Sequence, residues 1–325
     1  MFNGLKKPFG SDNAHPIGGD MNIKGKKIWM NGEFVDWNDA NIHIMVQTLH
    51  YGLGAFEGIR CYKLHDGRSS IFRLDKHMRR MFDTAKIILL EPPYSKREAS
   101  EACAETVRAN GYSECYLRPI MYVDAGGMGL GAINRTSLAI AAWEWGTYLG
   151  EGALENGIRV KISSFNRHHI NVGMVQGKIN GQYVTSILAK REIMAAGYDE
   201  AIMLDTNGYV AEGSGENLFA IRDGVIYTAP INSPILPGIT RNTILQLARE
   251  RNYDIREERF TRDFLYICDE VFLTGTAAEV TPVREVDDRN VGSGKRGPIT
   301  QELQNAYFDA VRGRDEKHQD WLFVI

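Results

Sequence analysis

Cysteine is scarce: Cys61, Cys103, Cys115 and Cys268 are the only four in 325 residues, and no two stand at CxxC spacing. So few and so scattered, they exclude a disulfide framework and the usual zinc or redox spacing, and they fit a reducing cytoplasm. Long apolar runs are missing as well. A membrane helix needs roughly 18 consecutive apolar residues, and stretches such as Leu138 to Trp143 stop far short of that. Residues 1–22 lack the apolar centre of a secretion signal and read as a mobile tail ahead of a folded body that starts near Ile23. Nor is there a large charge of one sign: 38 Lys and Arg against 41 Asp and Glu leave −3. That balance argues against nucleic acid or a membrane surface as partner and favours a small molecule. HExxH and GxSxG are both absent, which removes the commonest signs of a zinc protease and a serine hydrolase.

What is present is an average globular composition, 43% hydrophobic and 24% charged, in a chain long enough for about two domains. Asn31-Gly32 splits IWMNGEFVDW into a tight hairpin. Leu74, Met78, Met81, Phe82, Ala85, Ile88 and Leu89 recur at helical spacing over 73–90. Pro92-Pro93 stops that helix, Ser95 and Glu98 form a capping box for the next, and Gly111 ends it. CYLRPIMYV (115–123) and TSLAIAAWEW (136–145) read as strands, the first placing Tyr116 and Arg118 on one face. The glycine-rich stretch 145–154 reads as a crossing between two lobes. Beyond it, hairpin turns at Asn207-Gly208 and Asp223-Gly224 alternate with helical patterns at 182–196, 240–251 and 299–312. The expected architecture is α+β or α/β: a small domain over 23–145, a loop over 146–156 and a larger domain over 157–325, with a cleft between them.

Three glycine-rich segments imitate nucleotide sites. Gly127 to Ala132 fits GxGxxA after a strand, but a strand-like run follows where a dinucleotide fold needs a helix. A dehydrogenase or non-catalytic binder using this loop is the alternative from another functional class. Gly173 to Ile179 is one residue short of a phosphate-binding P-loop and has Ile179 where Ser or Thr must bind Mg²⁺. Gly292 to Lys295 reads as a surface turn. The adjacent His168 and His169 diverge in an extended chain and read as solvated polar residues rather than metal ligands.

Lys178 sits in VGMVQGKINGQYV without a nearby acid in the sequence. Taken alone it is either a surface-loop lysine or an amine kept nucleophilic by desolvation, ready to form a Schiff base. Glu212 alone reads as an exposed strand acid, Arg80 alone as a solvated helix arginine, and Phe56 alone as either core or pocket wall.

The segments WMNGEFVDW, LHYGLGAFEGIRCY, RLDKHMRRMFDTAK, YLRPIMYV, GKINGQY, EGSGENLF, LPGITR and TGTAAEVTPV occur in order from Ile28 to Val283. Together they resemble the branched-chain amino-acid aminotransferases of the fold-type IV pyridoxal-phosphate group. The resemblance implies a two-domain enzyme carrying pyridoxal 5′-phosphate, with Lys178 bonded to the cofactor as a Schiff base and later carrying a proton. It implies Glu212 at the ring nitrogen, Tyr183 at the ring's phenolic oxygen, and Arg80, Ile239, Thr240 and Thr276 at the phosphate. For substrate it implies Tyr116, Thr276 and Ala277 at the α-carboxylate, and Arg118, Tyr51 and Tyr148 at the distal carboxylate of glutamate. Phe56 would join the aromatic wall of the side-chain pocket, and Leu130 would reach in from a partner subunit. The expected activity is ping-pong exchange between leucine, isoleucine or valine and 2-oxoglutarate, in a homodimer or a larger assembly such as a hexamer. A D-amino-acid or (R)-amine transaminase of the same fold is the nearer alternative; Tyr116 with Arg118 favours the branched-chain type. Animal relatives can carry a CxxC thiol switch after the TGTA turn; Ala278-Glu279-Val280 stands there, so such regulation is not expected.

Overall fold

Asn31 and Gly32 take φ angles of 49° and 100°, the left-handed pair that closes a two-residue hairpin between β1 (Lys27–Met30) and β2 (Glu33–Asp36). The computed structural model describes residues 23–146, 149–150 and 152–325, so the readings for residues 1–22 and for Tyr148 lie outside the described residues. The hairpin joins β3 (Gly54–Phe56), β4 (Ile59–Lys63), β5 (Ser69–Phe72), β6 (Cys115–Val123) and β7 (Thr136–Trp143) in a largely antiparallel sheet. A short helix α1 (Gln47–Tyr51) leads into β3, and two longer ones, α2 (Leu74–Ile87) and α3 (Lys96–Asn110), cover this sheet.

Both long helices follow their sequence signals. On α2 the residues Leu74, His77, Met78, Met81, Thr84 and Ala85 are buried, one stripe of a 3.6-residue repeat. Ser95 accepts from Glu98 N, Glu98 accepts back from Ser95 N, and Gly111 caps the far end at φ 72°. The apolar spacing runs on to Leu90, but the helix stops at Ile87. Leu90 N turns back to the Ala85 carbonyl at 2.8 Å, Leu89 adopts φ 58° and faces solvent, and Leu90 is buried beneath it. Spacing alone could not distinguish a further helical turn from a chain reversal that buries alternate residues.

After the short α4 (Ala153–Asn156) comes β8 (Ile158–Ile162), then α5 (Tyr183–Ala195), β9 (Glu200–Leu204), β10 (Val210–Gly213), β11 (Asn217–Arg222) and β12 (Val225–Thr228). The chain continues through α6 (Ile239–Glu250), β13 (Ile255–Glu257), α7 (Arg262–Tyr266), β14 (Glu270–Gly275), β15 (Glu279–Val286), β16 (Arg289–Asn290) and α8 (Pro298–Val311). The second sheet runs β10-β9-β8-β15-β14-β11-β12-β13, with β8 parallel to both neighbours. Finally β17 (Leu322–Val324) returns to pair with β5 of the first sheet. No sequence signal marked that return. Each sheet has its own buried apolar cluster, around Leu117 and Leu138 in the first and around Leu218 and Leu273 in the second.

The glycine loop after β6 opens directly into β7, antiparallel to β6, so Gly127 to Ala132 starts no helix and cannot present helix amides to a pyrophosphate. His168 is half-buried and contacts Thr185 through Nε2 at 3.2 Å, so it is not the fully solvated residue the sequence suggested; His169 is exposed. Among the described residues no cluster of metal-ligating side chains occurs.

Candidate active site

Lys178 ends the irregular segment between β8 and α5, and contacts from three elements hold it. Its amide N–H donates to Thr84 Oγ1 of α2 at 3.0 Å, and its carbonyl accepts from Phe56 N of β3 at 3.2 Å. Its Nζ donates to the Tyr183 hydroxyl at 2.5 Å and lies 4.7 Å from the Phe56 ring centre. Phe56 and Tyr183 meet edge to face at 4.8 Å, so the amine is flanked by two aromatic rings.

A cavity opens beside this amine. Arg80, Tyr116, Lys178, Tyr183 and Glu212 line it, and so do Ile239 and Thr240 at the start of α6 and Thr276 and Ala277 in the turn after β14. Nine of the sequence-derived positions therefore line one cavity. Tyr51 and Arg118 line an adjoining groove, and Phe56 bridges the two, because the Arg118 guanidinium lies 5.0 Å from its ring and 5.5 Å from that of Tyr116. Leu130 is not brought in: it is 92% exposed on the loop after β6.

Glu212 is buried, not an exposed strand acid. One carboxylate oxygen pairs with Arg167 Nη2 at 2.8 Å; the other accepts from Asn217 Nδ2 at 2.9 Å and Leu236 N at 3.0 Å. Burial pushes its carboxyl above the ordinary range, and Arg167 opposes that shift. Gly238 leaves room for this network, since a Cβ there would stand 1.9 Å from Asn217 Oδ1.

Arg80 is largely enclosed, its side chain 10% exposed. Its Nε and Nη2 grip Glu57 Oε1 and Oε2, each at 2.7 Å, and Nη1 donates to the Pro237 carbonyl at 3.2 Å. His77 Nδ1 lies 2.7 Å from Glu57 Oε2. Burial alone would raise the Glu57 carboxyl, but Arg80 and His77 hold it at about 2. Next to this charge, α6 begins at Gly238 without any side chain capping it, which leaves first-turn amides free for an anion.

A fixed guanidinium, uncapped helix amides, a buried carboxylate and a reachable amine on one cavity wall form a donor set that suits a phosphorylated pyridine aldehyde. The model of the class IV amino-transferases matches residues 54–286, which contain every one of these groups. The chain belongs to the class IV aminotransferases. It is 53% identical to the branched-chain-amino-acid aminotransferase of Pseudomonas aeruginosa, over 92% of this chain and 97% of that one. The Escherichia coli enzyme of that name is 46% identical over 92% and 97%. The crystal structure of the E. coli enzyme superposes with a TM-score of 0.90, covering 92% of this chain and 99% of that one. The branched-chain amino acid aminotransferase of Thermoproteus uzoniensis, crystallised with norvaline, has a TM-score of 0.88 at 42% identity, covering 92% and 99%.

For this aminotransferase, sequence reading missed Glu57, His77, Thr84 and Arg167. Glu57 stood in a quoted motif and Arg167 beside the two histidines, yet the partner of each lies far along the chain. A pairing of that kind leaves no local spacing to read. Gly58 offered a usable signal, an extra glycine inside a strand pattern marking close approach: a Cβ there would lie 1.8 Å from the Tyr116 hydroxyl.

Proposed function

We propose that this protein is a branched-chain amino-acid transaminase that exchanges the amino group of L-leucine, L-isoleucine or L-valine with 2-oxoglutarate. Lys178 carries the reading: its amine faces a cavity that has an anion site at one side and a buried carboxylate on the same wall. The cofactor is pyridoxal 5′-phosphate, which when bound supplies an electron sink conjugated to the substrate nitrogen.

Arg80 and the α6 amides of Ile239 and Thr240, with Thr276, would hold the phosphate. Glu212 would keep a proton on the ring nitrogen, its other contacts fixing it in place. Tyr183 would bond the phenolic oxygen. Lys178 Nζ would take the proton from the substrate Cα and return it on the far side of the substrate nitrogen. Tyr116 with the amides of Thr276 and Ala277 would bind the α-carboxylate. Arg118, stacked on Phe56 and Tyr116, would receive the distal carboxylate of glutamate beside Tyr51 and Tyr148, while the rings around it accept isobutyl and isopropyl groups.

Two copies would act together, Leu130 entering the partner's pocket; the exposed Leu49, Leu130 and Ile133 support such an interface. A reducing cytoplasm is the proposed setting, supported by four buried free thiols. The division into 23–145 and 157–325 follows the two sheets, with β17 crossing back.

Glutamate formation from L-leucine and 2-oxoglutarate tests the function, with D-alanine as the control donor. Activity with D-alanine alone would replace this reading by the D-amino-acid type. Lys178→Ala should bind the cofactor without the spectral change that L-leucine produces in the parent; an unchanged response in the variant overturns the role of Lys178.

A further inference from the structure

Three carboxyl groups are buried in this region, Glu200 on β9, Glu212 on β10 and Glu216 in the turn before β11, the last two lining the cavity. Their partners differ. Glu212 has Arg167 at 2.8 Å. Glu200 has Lys190 Nζ at 2.5 Å, the Ser214 hydroxyl at 2.5 Å and Ala201 N at 2.7 Å. Glu216 Oε2 accepts the backbone N–H of Gly215 at 3.1 Å, and among the described residues no basic side chain forms an ion pair with it. Two cations thus serve three carboxyls. Glu216 is 4% exposed, and it lines the same cavity as Glu212 and Lys178. Its side chain has little freedom: a Cβ on Gly213 would lie 2.8 Å from Glu216 Oε2, and one on Gly275 would lie 3.4 Å from its Cγ.

A carboxylate buried without a cation is expensive, and the usual response is to keep the proton. We propose that Glu216 is a proton-holding residue of the cofactor wall: a neutral acid at neutral pH, so that the bound ring meets one carboxylate, and a second carboxylate once it ionises. This rests on the cofactor reading above. The charged groups acting on it are Glu200 from β9, Lys190 from α5 and Glu212 from β10, and the uncharged Gly275 of β14 packs against its Cγ. Burial first, then the charge of Glu200, push the Glu216 carboxyl up to about 8 against the pull of Lys190. On ionisation its proton passes to solvent, and the added negative charge favours protonation of both the ring nitrogen and the Lys178 amine.

The test is a titration of the cofactor-loaded protein from about pH 6 to about pH 10, spanning the midpoint, followed by infrared and visible absorption in parallel. In the parent, the carbonyl stretch of a protonated carboxyl should vanish with a midpoint of about 8, and the cofactor band should shift over the same range. Glu216→Gln should lack both changes. Because the folded state holds this proton more tightly than the unfolded chain, the stabilisation is complete below about 4.5 and lost as pH rises through about 8. The parent's Tm should therefore fall more steeply than that of Glu216→Gln between about pH 4.5 and about 8, and run parallel to it above that. Should Glu216→Gln not fold, Glu200→Gln serves, since removing that charge should move the infrared midpoint to lower pH. No protonated-carboxyl band in the parent, an unmoved midpoint in Glu200→Gln, or an infrared change with no accompanying cofactor shift each overturns the proposal. A protein that takes up no pyridoxal phosphate overturns the functional reading instead, and the infrared result still judges Glu216.

Discussion

Glu57 and Arg80 meet as a forked ion pair in which both carboxylate oxygens are taken, each at 2.7 Å, by one guanidinium. Glu57 stands on the link between β3 and β4, and Arg80 on α2, so the pair also pins the helix to the first sheet. A planar fork of this kind fixes the direction of the remaining guanidinium face, which a lone flexible arginine would not hold.

Glu57→Gln should therefore loosen the anion site without touching it. One charge-assisted contact of about 1–3 kcal/mol is lost, so cofactor affinity should weaken roughly 10- to 100-fold, read by fluorescence titration. A depressed carboxyl contributes stability that is complete above about 4.5 and lost as pH falls toward about 2. The parent should lose stability across that interval more steeply than Glu57→Gln; equal slopes would show that the pair carries no such linkage.

Much of this arrangement is legible in the amino-acid sequence, and the legible part is local. The Asn31-Gly32 hairpin, the α2 stripe and the Ser95 cap each depend on residues within one turn of one another, and each forms where the spacing puts it, the stripe as far as Ile87. Lys178 and Glu212 were singled out by motif, but their surroundings were not foreseeable: Arg167 reaches Glu212 from 45 positions away, and Thr84 reaches Lys178 N from 94. Those partners are brought together by packing of α2 and the second sheet against one cavity, which spacing does not encode.

The buried Arg167–Glu212 pair should behave as a unit. Arg167→Met leaves a buried carboxylate and Glu212→Gln a buried guanidinium, so each single change should cost about 3–5 kcal/mol. The double variant Arg167→Met with Glu212→Gln should be more stable than either single one, measured by denaturant unfolding of the cofactor-free forms. Additive losses would mean that the two side chains are not coupled. Transamination should stay low in both Glu212 variants, since neither offers the carboxylate proposed for the ring nitrogen.

Gly58→Ala should act on substrate, not on cofactor. The added methyl would stand 1.8 Å from the Tyr116 hydroxyl, so that ring must move or tilt against Trp143 and Trp145, whose centres lie 5.2 Å and 4.5 Å away. Loss of one polar contact to the α-carboxylate corresponds to about 1–2 kcal/mol, or roughly a tenfold rise in KM. Cofactor affinity should stay within about twofold, a difference too small to reflect a lost contact. A large loss of cofactor with an unchanged KM would place Tyr116 elsewhere in the reaction.

Thr84 ties the two halves of the site together. Its hydroxyl donates to the Arg80 carbonyl at 2.8 Å and accepts from Lys178 N at 3.0 Å, one helical turn beyond the guanidinium proposed to bind the phosphate. Thr84→Val keeps the shape but leaves the Lys178 amide buried without an acceptor, at about 1–3 kcal/mol. With the lysine backbone freed, kcat should fall roughly tenfold or more, because a displaced amine misses the alignment that proton transfer needs. Thr84→Ser restores the acceptor and should restore kcat while retaining a small stability loss from the missing methyl. Equal kcat in the valine and serine variants would show that Thr84 only fills space, and that the position of Lys178 is set by Phe56 and Tyr183 alone.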